Sequence, residues 1–474
     1  MISSSTAFLL SEWAIRLVML VVVTRRRQPA SAMAWLVVIF FEPWIGVALY
    51  WLLGTNRLPR RRIGEHMRLL RRLESVRRRF ENHPHIIRPE LPPRQAAAVH
   101  LAERLGYMPI LGGNSVEMMT GTDEVIDRLV ADIDAAENHI HLLFYIYADD
   151  ATGRRVAEAL GRAAARGVKC RVLADAVGSR PMFKRLARQL RQRGVEVYPA
   201  LPVNPFRRRM ARIDLRNHRK LAVIDGRVGY TGSQNIVDAD YGRRKLAWHD
   251  LMARLTGPIV LELQAVFLED WYFETDEVLD FPDVFPEPVI TGDVPVQTLP
   301  SGPNYAMENY QRMVVAAIHA AQREVVITTP YFVPDEAFMQ ALEVAVLRGV
   351  EVLVIMPRRS DQTLVGAATR AFYDDLIAAG VKIFLYQPGL VHAKTITIDD
   401  SMAMLGSSNF DIRSFALNFE INMVFYGAAV TTQLRCRQQQ YLDQSLPLSA
   451  TEWAGRPRLS RLGQNLAKLF SPLL

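Results

Sequence analysis

The sequence predicts an α/β protein made of two similar halves behind an apolar N-terminal segment. Three observations carry this reading: strand-like apolar runs alternate with helix-like ones, a six-residue motif occurs twice at one spacing, and two long apolar runs fall within the first 53 residues. The chain has 474 residues, half of them apolar, which is enough for two or three domains with sizeable cores. That composition excludes a disordered or collagenous chain. Cys170 and Cys436 are far apart and form no C-x-x-C pair, so a disulfide framework and a thiolate zinc site are excluded as well.

The first apolar run, 7–23, is interrupted by Glu12 and Arg16, and the second, 33–53, by Glu42-Pro43. At about 1.5 Å per residue the second is long enough to span the hydrocarbon of a bilayer and the first is marginal. Glu12 and Arg16 stand at i, i+4, where they can pair on one helix face and soften the cost of burial. Residues 1–56 are therefore expected to form two membrane-spanning segments in a transmembrane hairpin, or a re-entrant anchor. A secretory signal cut near Ala30-Ser31-Ala32 fits less well, because no positive charge precedes the first run.

The net charge of +8 is concentrated in one place. Between residues 57 and 80 there are ten arginines against Glu65 and Glu74, whereas everything beyond residue 80 is close to neutral. Such a juxtamembrane run predicts contact with anionic headgroups. By the positive-inside rule it also predicts a cytoplasmic body, against the opposite pull of Arg25, Arg26 and Arg27. A nucleic-acid partner is not expected, since its basic footprint belongs on the catalytic body.

Past a Pro-rich stretch that closes the basic linker at 57–95, the spacing predicts strands over 139–147, 168–174 and 195–198, with helices over 153–166 and 182–193 between them. The order repeats with strands over 325–329, 350–355 and 381–385 and helices over 337–347 and 364–379. Arg166-Gly-Val-Lys169 and Arg348-Gly-Val-Glu351 give both halves the same helix-end signal. Alternation of this kind predicts buried, largely parallel strands, in halves spanning 96–285 and 286–474.

Each half ends in the same chemistry. His218, Lys220 and Asp225 are followed by Gly232-Ser233 and Asn235; His392, Lys394 and Asp399 are followed by Gly406-Ser407 and Asn409. Six residues at one spacing, met twice, do not arise by chance. On a strand, His218 and Lys220 share one face and can meet one ligand. An imidazole is a competent nucleophile and proton shuttle near neutral pH, while an ammonium and an amide supply donors to non-bridging oxygens, as phosphoryl chemistry requires. Asp225 and Asp399 complete the candidate catalytic motif, yet they stand at the far end of the strand and are expected in a turn or as charge partners. Asp250 and Glu420, 32 and 28 residues beyond the two histidines, are expected to orient the imidazoles.

The doubled motif resembles that of the phospholipase D superfamily. Ser31-Ala-Met-Ala-Trp35, Thr329-Pro-Tyr-Phe-Val-Pro-Asp335, Gly232-Ser-Gln-Asn-Ile236 and Gly406-Ser-Ser-Asn-Phe-Asp411 extend the resemblance to the bacterial cardiolipin synthases over essentially the whole chain. The resemblance implies two phospholipase D-like α/β/α domains packed with pseudo-twofold symmetry around one active site. It implies transfer of a phosphatidyl group from one phosphatidylglycerol to another, giving cardiolipin and glycerol without metal or cofactor, in a multi-pass protein of the bacterial inner membrane. It makes His218 the nucleophile and His392 the acid and base, although the sequence is symmetric between the two. It has Lys220, Lys394, Asn235 and Asn409 hold the phosphate, with Ser233 and Ser407 in support. A hydrolase, a transferase to another alcohol or a nuclease of the same superfamily would share this chemistry. An insertion before the first motif carries Pro205, Arg207, Arg208, Arg209 and Arg212, and is expected to meet anionic headgroups at the site entrance.

Overall fold

The computed structural model describes residues 4–26, 29–54, 83–106, 108–203, 215–242, 246–279, 281–305, 308–469 and 471. The arginine run at 57–80 and the insertion at 204–214 lie outside the described residues.

Three helices open the chain: α1 (Ser4–Arg26), α2 (Pro29–Phe41) and α3 (Pro43–Leu53). Only the first is long and apolar enough to cross a membrane. The expected second span over 33–53 is broken at Glu42-Pro43, because Pro43 lacks the N–H that would continue the helix and Glu42 leaves helical geometry at φ −134 and ψ 83. The chain turns back on itself there, and Trp35 meets Tyr50 edge to face at 5.3 Å. A Cβ on Gly46 would stand 2.6 Å from the Cα of Ile39, so glycine is what lets the two arms approach. Arg16, paired with Glu12 at 3.4 Å, donates from Nε to the carbonyl of Phe40 at 3.1 Å, which satisfies an acceptor that the break has exposed. Outward-facing side chains of these helices, such as Phe8, Trp13, Phe41 and Trp51, are large and apolar.

The body is built on one 15-stranded mixed sheet. Its first half contains β1 (Leu111–Met119), β2 (His139–Phe144), β3 (Lys169–Asp175), β4 (Glu196–Ala200), β5 (Lys220–Ile224), β6 (Val228–Gly232) and, after the short β7 (Trp248–His249), β8 (Met252–Thr256). The second contains β9 (Val294–Ser301), β10 (Glu324–Thr328), β11 (Phe332–Val333), β12 (Glu351–Pro357), β13 (Lys382–Tyr386), β14 (Leu390–Val391), β15 (Thr395–Ile398), β16 (Met402–Gly406), β17 (Phe410–Asp411), β18 (Glu420–Tyr426) and β19 (Ser445–Pro447). The strand order is β19-β13-β12-β10-β15-β16-β18-β9-β1-β8-β6-β5-β2-β3-β4, so the halves join edge to edge where β9 pairs antiparallel with β1.

Within the large sheet, parallel pairing is confined to two three-strand groups toward its ends, with β19 added antiparallel at the edge of β13. β2, β3 and β4 are linked by helical crossovers and pair in parallel, as do β10, β12 and β13. The inner strands are antiparallel, because connections such as the three residues between β5 and β6 are too short for a crossover. The expected helix over 182–193 is divided into Arg180–Lys184 and Leu186–Gln192, and that over 364–379 into Thr363–Ala371 and Tyr373–Ala378. Beneath the seam, Leu255, Leu263, Val296, Ile421 and Met423 belong to one apolar layer shared by both halves.

Candidate active site

The site forms where each half lends a strand end to the other. The N–H of His218 donates to the carbonyl of Phe419 at 2.8 Å, and Asn217 bridges Phe419 in parallel. Correspondingly, the N–H of His392 donates to the carbonyl of His249 at 2.8 Å, beside the parallel pair of β14 and β7. The next residue after each of these carbonyls is a carboxylate, so the pairing delivers it to the neighbouring imidazole. Nδ1 of His218 lies 3.0 and 2.9 Å from the two oxygens of Glu420, and Nδ1 of His392 lies 2.6 Å from Oδ1 of Asp250. The sequence intervals associate each carboxylate with the histidine of its own half; the structure crosses them.

This contact fixes the chemistry of the rings. A carboxylate only accepts, so Nδ1 must carry the proton and Nε2 keeps its lone pair. Burial, assisted by the neighbouring ammonium groups and opposed by Glu420, lowers His218 to about 4; burial and Lys394, opposed by Asp250, lower His392 to about 3. Burial pushes Asp250 upward, but His392, Lys394 and Ser233 outweigh it and hold the acid down at about 2. Glu420 is likewise held below its usual range by His218, Lys220 and Ser407 despite burial. Both carboxylates are therefore ionised beneath neutral imidazoles.

The glycine and serine of each motif serve the carboxylates. A Cβ on Gly406 would stand 2.3 Å from Oδ1 of Asn422 and 2.5 Å from the carbonyl of Ile421, so only glycine lets β16 close on β18. Ser407 then donates its hydroxyl to Glu420 at 2.5 Å while accepting the N–H of Ile421 at 2.9 Å. Ser233 donates to Asp250 at 2.6 Å and accepts the N–H of Leu251 at 3.0 Å. A serine has one proton to donate, and here it is committed. Ser233 and Ser407, expected in support of the phosphate site, give that support through the acids that bond the histidines.

Lys220 and Lys394 donate to the carbonyls of His218 and His392 at 2.6 and 2.5 Å, which curls each ammonium back beside its own histidine. Burial drives Lys220 well below its usual value and Lys394 down to about 7. Both are almost wholly inaccessible, and each is within electrostatic reach of the other half's histidine. Asn235 accepts the N–H of Ile146 at 3.0 Å through Oδ1, and among the described residues its amide nitrogen has no partner. Asn409 is buried with Oδ1 unpartnered among the described residues.

Asp225 and Asp399 stand in turns, with no hydrogen bond to either motif histidine among the described residues. Asp225 accepts the N–H groups of Glu137, Asn138 and His139 at 2.8–2.9 Å, holding the loop into β2. Asp399 does the same for Gln322, Arg323 and Glu324 ahead of β10. Both sit at left-handed φ, 52 and 49, which aspartate tolerates better than most residues. They accept chiefly from backbone N–H groups, as a turn residue does, and their charges also act on His139 and Arg323 respectively.

Sequence reasoning missed the supports behind the first motif. Arg219 is fully buried, donates to Asp270 at 2.7 Å and to the carbonyl of Glu420 at 3.1 Å, and so ties the motif to the strand that supplies the acid. Asp175 accepts the N–H of Asn217 at 3.0 Å and pairs with Arg216 at 3.2 Å. The period-2 alternation held the signal: a residue between His218 and Lys220 faces the opposite side, and an arginine there needs a buried acid. The second half has Ala393 at that place, packed in the apolar layer. The rings differ as well, with Tyr145 edge-on to His218 at 4.8 Å and Trp248 tilted against His392 at 4.5 Å.

A family model described as cardiolipin synthase, PLD-like domain, matches residues 129–271 and 314–442, and one described as phospholipase D-nuclease N-terminal matches 14–54. Cardiolipin synthase A of Pectobacterium carotovorum subsp. carotovorum (strain PC1) is 37% identical over 461 residues, covering 96% of this chain and 95% of its own. Cardiolipin synthase A of Edwardsiella ictaluri (strain 93-146) is 35% identical over 468 residues with the same coverage. Among solved structures, phosphatidylserine synthase of Haemophilus influenzae Rd KW20 superposes over 80% of this chain and 98% of its own, with a TM-score of 0.59 at 15% identity, a likeness of fold.

Proposed function

The chain belongs to the cardiolipin synthases of the phospholipase D superfamily and is a phosphatidyltransferase acting on phospholipids, and from that premise we propose how its residues divide the reaction. The observation that carries the proposal is the crossed pair of histidine–carboxylate contacts, which gathers both motifs into one buried site. Nε2 of His218 attacks the phosphorus of a first phosphatidylglycerol. The N–P bond forms as the bond to glycerol breaks, and His392, neutral in the free site and brought to the imidazolium by the charge of the bound phosphodiester, protonates the departing oxygen. His392 then takes the proton of a second phosphatidylglycerol's hydroxyl, whose oxygen attacks phosphorus and releases His218. Cardiolipin and glycerol result, and both histidines return to their starting forms.

One asymmetry supports this order: the His218 side chain is the more accessible at 12% against 5%, as suits the ring that must reach phosphorus. Lys220, Lys394, Asn235 and Asn409 would face the phosphate's non-bridging oxygens, and the phosphodiester charge would return the buried lysine amines to their ionised form. We assign 96–285 and 286–474 to the two duplicated halves.

We further propose that α1 crosses the bilayer while α2 and α3, about 20 and 16 Å long, enter and leave by one face. The arginine-bearing end of α1 and the end of α3 then share a side. Arg25, Arg26 and Arg27 thereby join the run at 57–80 in favouring a cytoplasmic body, and the conflict between the two basic clusters disappears.

Purified enzyme given phosphatidylglycerol alone should yield cardiolipin and free glycerol. Phosphatidic acid as the sole lipid product would overturn the synthase reading, and a covalent phosphatidyl adduct on a His218→Ala variant would overturn the nucleophile.

A further inference from the structure

The C-terminal helix Arg458–Lys468 is packed inside out. Leu459, Leu462 and Leu466 recur at i, i+3 and i+7 on one stripe, followed by Leu469. In a globular domain such a stripe faces the core. Here the buried residues of the helix are Gln464 and Ala467, while the four leucines are 82, 55, 51 and 74% exposed. The helix is nonetheless held in place. Lys468 donates to Asp375 at 2.6 Å, Arg456 reaches Asp374 at 2.5 Å and Gln464 at 3.0 Å, and the helix lies against Thr363–Ala371. Four basic residues and no acid occur between 456 and 468. Two of them secure the helix, and Arg458 and Arg461 flank the leucines in the open.

We propose that this helix is a second membrane contact, lying in the interface of an anionic bilayer with its leucines among the acyl chains and Arg458 and Arg461 at the headgroups. An apolar stripe on a helix that itself carries cations and no acid is what such a surface selects. The helix it packs on, Thr363–Ala371, begins just after Asp361, whose carboxylate accepts the hydroxyl of Tyr331 at 2.6 Å and whose charge reaches Lys394. Docking of this face would therefore bring the active-site side of the second half against the lipid that carries the substrate. The inference rests on the membrane reading of α1–α3 and not on the reaction.

The test uses the full chain in vesicles of phosphatidylglycerol and phosphatidylethanolamine, with Cys436→Ser removing the exposed thiol. An environment-sensitive fluorophore on Leu462→Cys or Leu466→Cys should emit to the blue and be quenched by acyl-chain nitroxide lipids. The same label on Leu347→Cys, 78% exposed elsewhere on the body, should do neither. Because quenching is read without turnover, its result stands whether or not the lipid product is cardiolipin. Paired Leu462→Glu and Leu466→Glu changes should lower the rate on vesicles about tenfold and leave the rate on detergent-dispersed substrate unchanged. Emission at 462 as solvent-like as at 347 would overturn the proposal. So would blue-shifted emission beyond reach of the lipid quencher with disulfide-linked dimers of the Leu462→Cys variant, which would assign the stripe to a second copy of the chain.

Discussion

Replacing Glu420 with Gln should disable His218, in the other half of the chain, and spare His392. The carboxylate lies against Nδ1 of His218 at 2.9 and 3.0 Å with no solvent between them. With the charges roughly 4 Å apart and an effective dielectric near 20, one unit of charge stabilises the developing positive imidazole by about 4 kcal/mol, which is about a thousandfold in rate. A carboxamide can also turn its N–H toward Nδ1, which forces the proton onto Nε2 and removes the attacking lone pair, so the loss should reach about 10³–10⁴. Asp250→Asn should instead disable His392. The two are separated by a phosphatidyl ester of p-nitrophenol, a leaving group that departs without an acid. Asp250→Asn should then give a stoichiometric burst of nitrophenol and stall as the phosphatidyl-enzyme, whereas Glu420→Gln should give no burst. A burst from Glu420→Gln and none from Asp250→Asn would refute the assignment of nucleophile and proton carrier.

Ser407→Ala leaves the buried N–H of Ile421 without its acceptor and Glu420 without a donor, so it should lower stability by about 1–3 kcal/mol and turnover by roughly tenfold, read by thermal melting and cardiolipin formation. Burial raises Glu262 from 4.5 to about 8, so its protonated form is the one the fold prefers; stability is fully present below about pH 4.5 and is lost as pH rises toward 8. Glu262→Gln should therefore melt progressively above the parent over that window, by about 3 kcal/mol at pH 7, and parallel melting profiles would contradict this. Arg16→Leu strands both Glu12 and the carbonyl of Phe40, and should weaken the helical anchor by about 1–2 kcal/mol, measured as easier unfolding in mixed micelles.

The two His-Lys pairs were legible because a strand's two-residue period puts both side chains on one face and because the motif is written twice. Which acid serves which histidine was not legible. That depends on β7 lying beside β14 and Asn217 beside Phe419, contacts between distant segments that no local pattern encodes. The outer parallel strands follow from alternating apolar runs. The seam strands did not declare themselves, since β1 reads Leu-Gly-Gly-Asn-Ser-Val-Glu-Met-Met and carries little apolar alternation. The break at Glu42-Pro43 was visible as an interruption of the second apolar run, but that run's overall length still suggested a continuous span.

The crossing of the carboxylates bears on how such a chain can change over time. A tandem duplication ordinarily frees one copy to diverge while the other keeps the task. Here neither copy holds a complete histidine and acid of its own, so a loss in one repeat is a loss in both. A half expressed alone would present an imidazole with no acid behind it, and would recover one only by meeting a second half face to face. Hybrids made by exchanging halves inherit each working pair from two parents, and function only where the parents agree on how the seam is spaced.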